Sequence, residues 1–154
     1  MENRVLKRGK DQSPYNFHYL FYIILCLSKM AAMESKISNF LIIVGAMKCG
    51  TTSLYNYLAQ HPEIAGCHTK ETGFFNFSSR FFKGFDFYQG LWDWQPGKHK
   101  YALEATPGYT RVTHPKYLNA AEKIRLTKEE TGVNFKFIYI IRNPIDRVES
   151  HYTQ

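Results

Sequence analysis

"FLIIVGAMKCGTTSLYNYL", from Phe40 to Leu58, carries the fold of this chain. The unbroken apolar run Phe40, Leu41, Ile42, Ile43, Val44 reads as a strand buried on both faces. A turn bounded by Gly45 and Gly50 follows. Then "TTSLYNYLAQHP" reads as a helix with Leu54, Tyr57 and Leu58 on one face and Pro62 marking its end. A strand, a glycine turn and a helix start aim backbone N–H groups and the positive end of the helix dipole at one spot. Gly45 and Gly50 let the chain turn and approach a ligand closely. Thr51, Thr52 and Ser53 add hydroxyl donors, and Lys48 adds a mobile positive charge; Cys49 reads as a small filler. The result is an anion cradle, but not that of a nucleoside triphosphatase. The triphosphate loop G-x-x-x-x-G-K-[ST] has lysine directly after its second glycine. Here Thr51 follows Gly50, and the lysine lies inside the turn.

The rest of the composition sets bounds. A chain of 154 residues, 44% hydrophobic and 21% charged, is long enough for one globular domain with a real core. Aromatic content of 16% is concentrated between Phe74 and Trp94, and the net charge of +7 predicts an anionic partner. Six of the 20 basic residues (Arg4, Lys7, Arg8, Lys10, Lys29, Lys36) lie at the N-terminus, and no nucleic-acid-binding motif is present, so no nucleic-acid partner is expected. Three cysteines, Cys26, Cys49 and Cys67, form no C-x-x-C pair, which argues against a disulfide framework or a zinc site. That pattern fits a reducing compartment, and cytoplasmic localisation is the expectation. Residues 1–36 read as an extension. Its apolar run, Tyr15 to Leu27, contains Asn16 and His18 and falls short of the ~20 residues a membrane-spanning helix needs. A basic start before a short apolar run is also the outline of a signal peptide, so membrane anchorage through residues 15–27 is the alternative, and Met33 is an alternative start.

Further along, "EIAGC" and "KYALEAT" read as strands, and Thr72 to Lys100 as loops and a short helix laid across the core. "THPKYLNAAEKIRLTKEETG" reads as a helix capped by Thr113, with Pro115 in its first turn and Gly132 as its stop. "FKFIYII", Phe135 to Ile141, reads as a second buried strand. The following "RNPIDRVESHYTQ" opens a helix with Asn143 as cap and Pro144 at its first position. Strands alternating with helices imply an α/β fold of the P-loop type: three layers around a central parallel sheet, with ligands at the carboxyl ends of the strands. Arg142 at a strand end and Ser150 two helical turns later could both reach an anion at that edge. Taken alone, Arg142 pairing with Asp146 beside a solvated Ser150 is the competing reading.

Together, "GAMKCGTTSL" and "IRNPIDRVESHY" resemble the two cofactor signatures of sulfotransferases that use 3′-phosphoadenosine 5′-phosphosulfate (PAPS). "KETGFF" and "EATPGYT" are similar to motifs of the heparan-sulfate-type and bacterial branch, and all four occur in the family's order between Phe40 and Gln154. The resemblance implies a sulfotransferase that moves a sulfonate group from PAPS to a hydroxyl or amine, on a glycan or a small molecule. It places Lys48, Gly50, Thr51, Thr52 and Ser53 on the 5′-phosphosulfate, and Arg142 and Ser150 on the 3′-phosphate. It also implies that residues 37–154 are the N-terminal part of the domain, incomplete at its C-terminus, since family members continue well beyond the Arg/Ser motif. A truncated, inactive fragment and a P-loop nucleotide kinase are the alternatives.

The position of the lysine then has a physical account. A transferring sulfuryl group carries less negative charge than a phosphoryl group, so no divalent metal is expected. Lys48 near the bridging oxygen can stabilise charge building on the leaving phosphate. The acceptor needs a base. Glu71 matches the branch's catalytic glutamate, with Phe74 and Phe75 expected to desolvate it and Lys70 beside it. His68 is the second candidate base, and His61, before Pro62, reads as structural. Ala105 stands where the heparan-type branch often has lysine, removing one potential acceptor or sulfonate contact. Glu104, Thr106 and Tyr109 are candidates to line the acceptor cleft, with a buried structural role for Glu104 as the competing reading.

Overall fold

The computed structural model describes residues 36–111 and 119–153, which fall in one compact unit running from Ser35 to Gln154. Expectations for the N-terminal extension, including the Tyr15–Leu27 run and the Met33 start, lie outside the described residues. So do Thr113 and Pro115.

Four strands make one sheet: β1 (Asn39–Gly45), β2 (Ile64–Gly66), β3 (Tyr101–Ala105) and β4 (Asn134–Tyr139). Their order is β2-β3-β1-β4, and every pairing is parallel. β1 is central, with Phe40 opposite Ala102 and Phe135, and Ile43 opposite Ala105 and Ile138. Its alternate residues face opposite layers, which is why the run is apolar throughout. Ile43, Leu103 and Ala105 pack under helix α1 (Thr51–Leu58), together with Leu54, Tyr55 and Leu58. On the other face, Phe40 and Ile42 pack against Phe74, Phe75, Tyr88 and Trp92 from the aromatic segment, and against Ile124 of helix α4 (Ala120–Thr131). These two faces and the sheet between them are the expected three layers.

The aromatic segment contains two short helices, α2 (Ser78–Phe81) and α3 (Phe85–Gln89). Tyr88 stacks on Phe74 at 4.6 Å between ring centroids and on Phe40 at 5.2 Å, so this segment supplies buried rings to the core on this face of the sheet.

Three local expectations change. Tyr57 is 74% exposed, and Tyr55 takes the buried place, its hydroxyl donating to the Cys67 carbonyl at 2.9 Å. The reason is rotation: Tyr55 is the aromatic that α1 turns toward the end of β2, where Gly66 leaves it room. A Cβ on Gly66 would lie 3.0 Å from the Tyr55 hydroxyl. Tyr55→Phe should therefore cost about 1–3 kcal/mol by leaving a buried carbonyl unpaired. A lower urea midpoint at constant slope is the expected reading, and an unchanged midpoint would show that the bond contributes nothing.

Second, α4 begins at Ala120. Asn119 caps it with a reciprocal box: its side chain accepts from the Glu122 amide at 2.9 Å, and its own amide donates to the Glu122 carboxylate at 2.8 Å. Gly132 ends the helix as expected, at φ 73°. Third, β4 is an edge strand among the described residues, not one buried on both faces, and Phe137 and Tyr139 are 52% and 55% exposed. An apolar run encodes a strand but not its rank in the sheet.

The last helix, α5 (Pro144–Tyr152), starts as expected, the Asn143 side chain accepting from the Ile145 amide at 2.9 Å. The carboxyl ends of β1, β3 and β4 lie side by side, so the loops after Gly45, Ala105 and Tyr139 share one edge of the sheet.

Candidate active site

The loop between β1 and α1 begins with a close approach. A Cβ on Gly45 would lie 2.6 Å from the Tyr139 ring and 3.4 Å from the Thr110 hydroxyl. Backbone bonds from Ala46 to the Ile140 carbonyl and from Ile140 to the Gly45 carbonyl, both 2.8 Å, tie this loop to the exit of β4. Lys48 has φ 65° and Gly50 φ 87°, two left-handed turns that bring the chain into α1. No side chain caps that helix, so its first amides remain open to an anion. Thr51 is buried, while Thr52 and Ser53 are exposed.

α5 packs beside the same loop through Arg147, whose Nε donates to the Met47 carbonyl at 2.9 Å. That contact brings the second sequence motif to the first. Arg142 is half-exposed and only 3.9 Å from Asp146, too long for a tight pair. The third wall comes from the segment after β2. The Ala105 amide donates to the Lys70 carbonyl at 2.8 Å, fixing this segment against β3, and the Lys70 ammonium contacts the Glu71 carboxylate at 2.7 Å.

These walls enclose a cleft of about 940 Å³. Lys48, Gly50, Thr51, Thr52, Ser53, Glu71, Arg142 and Ser150 all line it, although Lys48 and Ser150 are 102 positions apart in the sequence. Three further polar residues line the same cleft and carry no motif: Asn76, Arg80 and Arg111. Arg80 donates to the Thr72 carbonyl and lies 5.3 Å over the Phe77 ring. Asn76 reaches the wall because Gly108 has no side chain; a Cβ there would lie 2.6 Å from the Asn76 Nδ2. With Lys48, Lys70 and Arg142, the arginines give five cations against the single carboxylate of Glu71. Such a cleft favours a multiply charged anion.

Several expected residues fall elsewhere. His68 pairs with Asp93 at 3.0 Å outside the cleft, because the Cys67–Trp92 bridge turns this stretch toward the aromatic segment. It is not among the residues that line the cleft. His61 accepts from the Glu63 amide at 3.2 Å, a turn-stabilising contact. Phe74 and Phe75 enter the core while Glu71 remains half-exposed, so they do not desolvate it. Thr106 lines the cleft, but Tyr109 faces a separate apolar cavity of about 640 Å³ beside Val44, Phe135 and Phe137. Glu104 is fully buried, and burial raises its carboxyl above the ordinary range, partly opposed by hydroxyl donors from Thr72, Tyr88, Thr106 and Tyr109. Cys49 and Cys67 are free and buried, and burial pushes the Cys67 thiol up to about 12, so it stays protonated at neutral pH. Among the described residues, no three His, Cys, Asp or Glu side chains gather as a metal cluster, and no helix is long and apolar enough to cross a membrane.

A parallel α/β sheet whose first strand feeds a lysine-bearing glycine turn, facing an Arg/Ser helix across a cationic cleft, defines the class of protein. The chain belongs to the sulfotransferase domain family, whose model matches residues 39–154. It is 35% identical over 153 residues to the membrane-associated sulfotransferase kil1 of Dictyostelium discoideum, covering 98% of this chain and 28% of that protein. Heparan sulfate glucosamine 3-O-sulfotransferase 3B1 of Mus musculus is 33% identical over 113 residues, covering 73% of this chain and 26% of that one. The crystal structure of a sulfotransferase from Alicyclobacillus acidocaldarius superimposes with a TM-score of 0.54 at 30% identity, over 73% of this chain and 48% of that one. The chain thus spans about a quarter of the length of the curated relatives it matches.

Proposed function

We propose that this protein transfers a sulfonate group from PAPS to a hydroxyl or amine, on a glycan or a small molecule. The observation that carries the reading is the convergence of the glycine turn, Glu71, Arg142 and Ser150 on one cleft. The residues present fit the donor: an uncapped helix start, three hydroxyl-bearing side chains and a surplus of cations suit a molecule with phosphate at both ends. When bound, PAPS supplies an activated sulfonate: a bond from sulfur to the acceptor oxygen or nitrogen forms, and the bond to the bridging oxygen breaks, leaving its electron pair on 3′-phosphoadenosine 5′-phosphate.

The chain's own groups do the rest. Amides and hydroxyls from Gly50 to Ser53 hold the 5′ end, and Arg142 with Ser150 holds the 3′-phosphate. Lys48 places positive charge where the leaving phosphate gains negative charge. Glu71 accepts the acceptor's proton, and Lys70 keeps the carboxylate aimed into the cleft. The expected compartment is cytoplasmic, with membrane anchorage as the alternative, and kil1 is named as membrane-associated.

Calorimetric titration of the chain with 3′-phosphoadenosine 5′-phosphate, without magnesium, tests the donor site. Binding is expected, and Arg142→Ala should weaken it by about 10- to 100-fold, the loss of a charge-assisted contact. Tight ATP binding that requires magnesium, with none of the bisphosphate, would replace this reading by the kinase one.

A further inference from the structure

Glu104 is the fully buried carboxyl group that the proposed chemistry leaves unused. Its carboxylate lies at the end of β3 with no exposure to solvent, among four hydroxyls. Tyr88 donates to Oε1 at 2.5 Å; Thr72 and Thr106 donate to Oε2 at 2.5 and 2.8 Å. Tyr109 donates across both oxygens at 3.1 and 3.3 Å. Three of these hydroxyls do a second thing. The Gly73 amide donates to Thr106 Oγ1 at 3.3 Å, the Phe74 amide to Thr72 Oγ1 at 3.2 Å, and the Phe75 amide to the Tyr109 hydroxyl at 3.5 Å. A hydroxyl has one proton and two lone pairs, so each can accept from an amide only while its proton goes elsewhere. The two carboxyl oxygens of Glu104 are the common acceptor for these hydroxyls, and Thr72 Oγ1 and the Tyr109 hydroxyl also lie 3.0 Å apart.

We propose that Glu104 is a positioning residue for Glu71: through three hydroxyls it fixes three consecutive backbone amides, Gly73 to Phe75, and so sets where the preceding carboxylate enters the cleft. The inference rests on the role proposed for Glu71, but its first test does not. The same relay orients Thr106, which lines the cleft, and it starts one residue after Glu71. Tyr88 is the internal contrast. Its bond to Glu104 is as short as that of Thr72, yet it connects to helix α3 and receives none of these amides.

Glu104→Met keeps the length of the side chain and removes both oxygens. Amide hydrogen exchange at residues 73, 74 and 75 should then accelerate by about 10-fold or more, while the β1 and β3 amides keep their protection. Sulfonate turnover should fall by about 10-fold or more, as expected for a displaced reacting group, with affinity for 3′-phosphoadenosine 5′-phosphate within about twofold. Tyr88→Phe should leave turnover and the exchange of these three amides near wild type. Should Glu104→Met not fold, Thr72→Val, which removes one link of the relay, decides by the same readings at Phe74. Unchanged exchange at 73–75, unchanged turnover despite faster exchange, or an equal loss in Tyr88→Phe would each overturn the proposal. A wild-type chain that binds no bisphosphate and turns nothing over would sink the sulfonate-transfer reading instead, and the exchange data would still decide whether Glu104 holds this segment.

Discussion

Replacing Lys48 with alanine is expected to lower turnover by about 10²- to 10³-fold, the usual consequence of removing one preorganised group from a developing negative charge. The fold should survive the change. Lys48 is partly exposed at φ 65°, and alanine meets the same left-handed strain as lysine there. The Ala46–Ile140 and Ile140–Gly45 backbone bonds and Arg147 on the Met47 carbonyl hold the loop and do not involve the substituted side chain. Steady-state turnover at saturating PAPS, set beside bisphosphate affinity, separates the possibilities. A large fall in turnover with a smaller loss of affinity is the signature of charge stabilised mainly in the transition state. Full activity would remove the assignment and pass the role to another cation of the cleft, with Lys70, Arg80 and Arg111 the available ones.

Glu71→Gln should reduce turnover by about 10²- to 10⁴-fold, the range for loss of a positioned base, with bisphosphate affinity changed by less than about twofold. Glutamine has the same shape and keeps a hydrogen-bonding oxygen near Lys70, but it cannot take a proton. Stability should barely move, because the lost ion pair is half-exposed and such pairs contribute about 0–1 kcal/mol. The backbone on either side is held independently, by the Ala105–Lys70 bond before Glu71 and by the Glu104 relay after it. His68→Ala is the matching control and should turn over near the wild-type rate, since His68 is paired with Asp93 outside the cleft. Unimpaired turnover in Glu71→Gln would remove the base assignment.

Residues whose roles follow from their immediate neighbours were legible. The Phe40–Val44 run is the central strand, the glycine turn opens a helix at Thr51, and Asn143 with Pro144 starts the last one. A strand end and a helix start are adjacent in the chain, so composition over a few residues places both. Misreadings occur where a side chain's fate depends on a distant partner. Tyr55 and Tyr57 have the same ring and the same helix; only the position of Gly66 and Cys67 decides which one is buried. Arg80 and Arg111 went unnoticed because no spacing links them to the loop they face.

The strands, their alternation with helices along the chain and the anion-binding turn therefore follow from the chain read locally, because periodicity, glycine conformation and helix ends are properties of short segments. Packing across the sheet settled the rest. It joined Arg142 and Ser150 to the turn around Lys48, withdrew His68, left Glu71 open beside Lys70, and closed Glu104 inside a shell of hydroxyls. A carboxylate in a sequence carries no sign of whether it will meet water or four buried donors. Burial is a property of contacts made across the whole fold, and here it separates the glutamate proposed to take a proton from the one proposed to hold it in place.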